Sequence, residues 1–217
     1  MPSSASNYTN GSHTLDVKIF NNWDGIYGKG PSAAFRGNTF MFYYGKDGSN
    51  GGAYAVGGVE SWQDGNWHQY ALTWDASGAL AQYNTDSGSH ANLGSYLKLY
   101  RDGSAISTTY TNWSNGTWLD QDYEENNSTG NFRFGFPGDA SHNHTNLIAS
   151  YDEIAIWKKV LTSSQIDSIY NDGTASDVSS IESSDLKRYY RFEDSDGTDT
   201  AGNHTGTKGS SATFEDY

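Results

Sequence analysis

Residues 150–171 read Ser150-Tyr-Asp-Glu-Ile-Ala-Ile-Trp-Lys-Lys-Val-Leu-Thr-Ser-Ser-Gln-Ile-Asp-Ser-Ile-Tyr-Asn171. The stretch opens as a strand, because Ile154, Ile156 and the rings of Tyr151 and Trp157 are the β-branched and aromatic residues that a pleated surface favours. It then turns into one short helix. Thr162 followed three residues later by Gln165 is a capping box, and Ile166, Ile169 and Tyr170 form an apolar stripe at helical spacing. Gly173 stands where a helix C-terminus takes a left-handed residue. A strand that runs directly into a lone capped helix near 162–171 sets the frame for the rest of the chain.

Outward from this stretch, the apolar segments are short and strand-like. Leu15–Phe20, Ala53–Val56 and Phe132–Phe136 alternate or carry β-formers, while Phe40–Tyr44 is a continuous apolar run that predicts a buried strand. In Asn66–Asp75, Trp67, Gln69, Ala71 and Thr73 fall on one face and His68, Tyr70, Leu72 and Trp74 on the other. Tyr96–Gly103 is a strand ending in an Asp-Gly turn, with Ser104–Tyr110 as its hairpin partner. Leu186–Phe192 is the last strong strand. Residues 76–93 and 112–129 are long polar connections, 137–146 is a loop with two histidines, and 1–13 is a flexible N-terminal segment. The prediction is an all-β, two-sheet antiparallel sandwich with one short helix.

Composition supports one domain of this class over 14–217. The 217 residues include 16 Tyr, 9 Phe and 7 Trp, enough rings to build a β core despite a mean hydropathy of -0.75. Twenty-five glycines suit tight turns between short strands. A formal charge of -13 disfavours nucleic acid and anionic membranes as partners and favours cations. The chain has no cysteine, which removes disulfides, zinc–thiolate sites and thiol nucleophiles. No apolar run is long enough to span a bilayer, and the polar start Met-Pro-Ser-Ser-Ala-Ser-Asn-Tyr is no secretion signal. Asn-x-Ser/Thr triplets at Asn7, Asn10, Asn112, Asn115, Asn126, Asn127, Asn143 and Asn203 are what abundant Asn, Ser and Thr produce by chance.

Three segments, in order, resemble the laminin-G-like and pentraxin-like jelly rolls of the concanavalin A-like lectin/glucanase superfamily: Trp67-His68 with Ala71-Leu-Thr-Trp-Asp75, Leu97-Lys-Leu-Tyr-Arg-Asp-Gly103, and Asp152-Glu-Ile-Ala-Ile-Trp157 with the helix through Tyr170. The resemblance covers roughly 14–172 and implies a concanavalin A-like jelly roll. Tyr189-Tyr-Arg-Phe-Glu193 and Asp199-Thr-Ala-Gly-Asn203 are similar to a segment that comes first in that family and stands last here. Residues 186–217 therefore read either as a permuted strand and calcium loop or as the seam of a modular protein, and their place after the helix resembles an arrangement in structural proteins of aquatic phages. The resemblance implies a structural Ca²⁺ held by Asp152, Asp199 and Asn203, an ion that takes about six to eight oxygen ligands. Asp120, Asp122, Glu124 and Glu125 form a second acidic candidate.

Lectins pair exposed aromatic rings with nearby amides and carboxylates, because sugars present apolar faces and polar edges. Trp113 and Trp118 flanking Asn115, together with Trp62 and Tyr27, are the candidate glycan- or partner-binding residues; core filling is the competing account of these rings. No catalytic residue is assigned. Asp152 and Glu153 are adjacent and would point to opposite faces of a strand, unlike a glycosidase pair. The Gly25–Gly30 run lacks the spacing of a phosphate loop, and His142 and His144 read as solvated. The expectation is a non-enzymatic binding or structural module on a virion surface, in a capsid decoration or fibre, that binds glycans or neighbouring subunits. An extracellular bacterial adhesin domain is the alternative, and a glycan-processing enzyme a distant third.

Overall fold

A computed structural model of the chain describes residues 9–10, 13–14, 16–21, 30–36, 39–45, 52–58, 62, 64–75, 77–79, 81, 93–112, 133–134, 144–146, 149–193, 197–202, 204–209 and 213. Those residues are mostly strands in antiparallel sheets, with few short helices, so the chain is all-β. It forms two compact units, Met1–Ala149 and Ser150–Tyr217.

In the first unit, β1 (Thr9–Asn10) pairs with β2 (His13–Thr14), so part of the expected flexible segment is a small ladder. The strands β3 (Asp16–Asn21), β4 (Gly30–Arg36), β5 (Thr39–Gly45) and β6 (Gly52–Gly58) then follow as an antiparallel meander. The chain leaves this sheet to build a three-stranded one from β7 (Tyr70–Trp74), β8 (Leu97–Arg101) and β9 (Ser104–Ala105). It returns as β10 (Thr108–Asn112), beside β6. β11 (Arg133–Phe134) pairs antiparallel with β3, and β12 (His144–Asn146) pairs parallel with it, within the stretch expected to be a loop.

Strand β4 escapes sequence reading because Gly30, Pro31, Ala33 and Ala34 are weak strand formers. Its place between β3 and β5 gives it ladder partners on both sides. The hairpin after Asp102-Gly103 is shorter than expected. Ser104 and Ala105 pair with β8, Ile106 N–H still donates to Leu99 O at 2.8 Å while its side chain packs against the core, and the chain then crosses to β6.

Core residues come from both sheets: Ala33 and Phe35 of β4, Phe40 and Phe42 of β5, Leu97 and Leu99 of β8, and Trp62. Tyr70, Leu72 and Trp74 of β7 pack against them, as the alternation in 66–75 predicts. Phe35 is the hub. It stacks on Trp62 at 4.4 Å between centroids and meets Tyr70 edge-on at 5.1 Å. Burying each such ring contributes about 1.5–3 kcal/mol. At Gly57 of β6 the backbone passes so close to the core that a Cβ would lie 2.6 Å from Ile106 Cγ2.

The second unit pairs β13 (Ile154–Trp157) antiparallel with β14 (Leu186–Tyr190), and helix α1 (Ser163–Tyr170) lies between them in sequence. Both halves of the predicted capping box form: Gln165 N–H donates to Thr162 Oγ1 at 3.2 Å, and Thr162 N–H to Gln165 Oε1 at 2.9 Å. The left-handed residue that closes the helix is Asn171 (φ 46°) rather than Gly173, which is left-handed two residues further on. Asparagine tolerates this region better than other residues with a Cβ. Val178, Leu186 and Tyr189 form the core here, backed by Ala155, Trp157, Ile169 and Ile181, and Trp157 Nε1–H donates to Ile181 O at 2.8 Å. The C-terminal segment thus supplies the partner of the Asp-Glu strand.

Candidate functional site

Strand β7 is entered through a turn over residues 64–69. Asp64 Oδ1 accepts the Asn66 N–H at 2.9 Å, and Gly65 takes φ +82°, a conformation that its missing Cβ allows. The turn brings His68 to the end of the β8–β9 hairpin, 34 residues away. His68 Nδ1 lies 2.8 Å from Asp102 Oδ2, and Nε2 lies 2.9 Å from Asp64 Oδ2. Arg101 closes the group: its Nη2 is 2.9 Å from His68 Nε2 and 3.6 Å from Asp64 Oδ2, and its Nε is 3.4 Å from Asp102 Oδ2. A singly protonated ring donates to Asp102 and accepts from Arg101.

The hairpin end is fixed by further bonds. Asp102 has φ 51°, its Oδ1 accepts the Gln69 N–H at 3.1 Å, and Gly103 N–H donates to Gln69 Oε1 at 3.1 Å. The Asn66 N–H, followed by His68, holds the Asp64 carboxyl down at about 2, well below its ordinary value, so it remains an anion. Behind the group, burial pushes the Tyr70 phenol up to about 12, and among the described residues its hydroxyl has no hydrogen-bond partner. Tyr70 lies edge-on to His68 at 6.3 Å between centroids, linking the polar group to the core rings.

Trp67 stands in the same turn, in the alternate register to His68, and is 59% exposed, the largest exposure of any large apolar side chain among the described residues. The turn therefore carries an indole on a support tied together by His68, Asp64, Asp102 and Arg101. Among the described residues, His68 touches no serine or threonine hydroxyl.

The residues expected to bind glycans or partners fare differently. Trp62 is 3% exposed and stacked on Phe35, so it fills the core and offers no open face to a sugar. Tyr27, Trp113, Asn115 and Trp118 lie outside the described residues, as do the acidic positions 120–125, His142 and Asn203.

Of the proposed calcium ligands, Asp152 is exposed, and its Oδ1 accepts the Glu153 N–H at 3.0 Å. Partial desolvation by neighbouring groups, with the Glu193 charge, raises its carboxyl, while the Glu153 N–H and Arg191 oppose the rise. Asp199 is buried. Its Oδ1 accepts the N–H groups of Tyr189 at 2.9 Å and of Ala201 and Gly202 at 3.1 Å. Among the described residues its Oδ2 forms no hydrogen bond, and it faces Arg188 Nε at 3.8 Å. A cation at Oδ2 would compete with that guanidinium. Among the described residues no three His, Asp or Glu side chains are grouped to hold a metal ion.

Glu153 departs from the expected strand geometry. The strand starts at Ile154, and Glu153 takes φ 51°, which turns its side chain to accept from the Tyr189 hydroxyl and to lie 3.6 Å from Arg191 Nε.

The Asp64–His68–Asp102–Arg101 group was not anticipated. Asp64-Gly65 and Asp102-Gly103 are visible as turn signals, but the meeting of His68 with Asp102 depends on the register of β7 with β8, which pairs Tyr70 with Arg101. No protein-family model, curated protein or solved structure matches the chain.

Proposed function

We propose that the chain is a non-enzymatic recognition module, a two-sheet jelly roll that grips glycans through the turn carrying Trp67. The observation that carries this reading is the exposed Trp67 ring on a turn locked by Asp64, His68, Asp102 and Arg101. An indole presents a large rigid surface with little entropy to lose, and the apolar face of a pyranose stacks on such a surface. Pre-organisation by the four charged side chains spares the cost of ordering the turn on binding. The surface of a virion is the proposed setting, following the order of the sequence motifs.

Titration of the full chain with an oligosaccharide library, read by tryptophan fluorescence and calorimetry, tests the reading. Trp67→Ala should weaken the best ligand at least about tenfold, equivalent to about 1.4 kcal/mol, with an unchanged circular dichroism spectrum. Equal binding by the variant, or no glycan bound by the wild-type chain, would remove the proposal.

A further inference from the structure

We infer that the Arg188 guanidinium, and not a metal ion, is the cation that balances the buried Asp199 carboxylate. The sequence motifs imply calcium at Asp199; the residues packed round that carboxylate fit a guanidinium instead. The Asp199 side chain is fully buried, 0% exposed, and its two oxygens differ. Oδ1 ties the turn over 199–202 to β14 by accepting the N–H groups of Tyr189, Ala201 and Gly202. Thr200 N–H adds a bond to Tyr189 O at 2.8 Å. Oδ2 accepts no hydrogen bond among the described residues. A buried carboxylate oxygen in that state needs a positive charge close by. Arg188 Nε stands 3.8 Å from it, and Arg188 Nη1 is held in place by donating to Lys187 O at 2.6 Å.

Gly202 marks the space beside Oδ2. A Cβ there would lie 2.7 Å from Oδ2, 3.2 Å from Lys187 O and 3.4 Å from Arg188 Nη1. The first distance is close to the separation of about 2.3–2.6 Å at which Ca²⁺ takes an oxygen ligand. The third sets a dication in this space directly against the guanidinium, with no room for water to screen them, and like charges so close repel strongly away from solvent. Arg188 would have to leave before a metal could enter. With its own cation in place, the turn keeps its hold on β14 where free calcium is scarce.

The test follows amide hydrogen exchange by NMR in the full chain, once in EGTA and once in millimolar Ca²⁺. The Tyr189, Ala201 and Gly202 amides, which donate to Asp199 Oδ1, report directly on the carboxylate. In the wild type they should exchange at the same rates in both solutions. Arg188→Gln, which removes the charge, should speed their exchange at least about tenfold in EGTA. Arg188→Lys, which keeps the charge and loses the planar fork, should speed it less. Faster exchange of these amides in the wild type when calcium is withdrawn would overturn the inference and return Asp199 to a metal ion. Wild-type rates in Arg188→Gln would overturn it equally. The wild-type comparison needs no variant, so misfolding of Arg188→Gln leaves the test intact.

Discussion

Asp102 is the residue through which hairpin, turn and charged group are joined, and substituting it separates three contributions. Its backbone is left-handed at φ 51°. Alanine at such a position costs about 1–2 kcal/mol, which glycine avoids. Its Oδ1 accepts the Gln69 N–H at 3.1 Å, a bond that contributes about 1 kcal/mol. Its Oδ2 pairs with His68 at 2.8 Å, and for a pair with this exposure the contribution is about 0.5–1 kcal/mol. Asp102→Ala should therefore lose about 3 kcal/mol, Asp102→Gly about 2, and Asp102→Asn, which keeps an acceptor oxygen and tolerates the backbone, about 1. The assay is urea unfolding followed by tryptophan fluorescence, with the slope held constant across the series so that midpoints report stability. Equal losses in the alanine and glycine variants would show that the left-handed backbone contributes nothing. A loss in the asparagine variant as large as in alanine would show that charge, not conformation, governs the corner.

Two further outcomes follow from packing and titration. Gly57→Ala places a methyl 2.6 Å from Ile106 Cγ2 and 3.5 Å from Leu99 Cδ1, so it should destabilise by about 1–3 kcal/mol. Ile106→Ala in the same chain should recover part of that loss in a thermal melt; strictly additive losses would count against the clash. Burial raises the carboxyls of Glu153 and Asp152, the Tyr189 hydroxyl opposing the rise at Glu153, so the folded chain holds protons that the unfolded chain releases. Stability should accordingly fall as pH rises from the ordinary Glu value of 4.5 through the raised folded value, and Glu153→Gln should flatten that fall. Asp64 acts with the opposite sign, its contribution being present above 3.8 and lost as pH drops toward 2. Urea midpoints measured across pH check both, and parallel curves for wild type and Glu153→Gln above 4.5 would refute the assignment to Glu153.

Local chemistry in the sequence determined the parts whose physics is local. The Thr162–Gln165 capping box forms because both partners lie within one helical turn. Tyr70, Leu72 and Trp74 face the core because a strand has a period of two. Asp102-Gly103 turns because those two residues accept positive φ at little cost. The remainder depends on partners distant in the chain. Strand β4 exists because β3 and β5 hydrogen-bond to both its edges, against its own weak propensity. Trp62, read as a loop aromatic open to ligands, is buried because Phe35 lies under it, 27 positions earlier. The charged group around His68 appears only once β7 and β8 pair in one register, since a one-residue slip would carry Arg101 and Asp102 away from it. Side-chain identity and spacing specify caps, turns and faces; which faces meet is settled by burial summed over the assembled sheets.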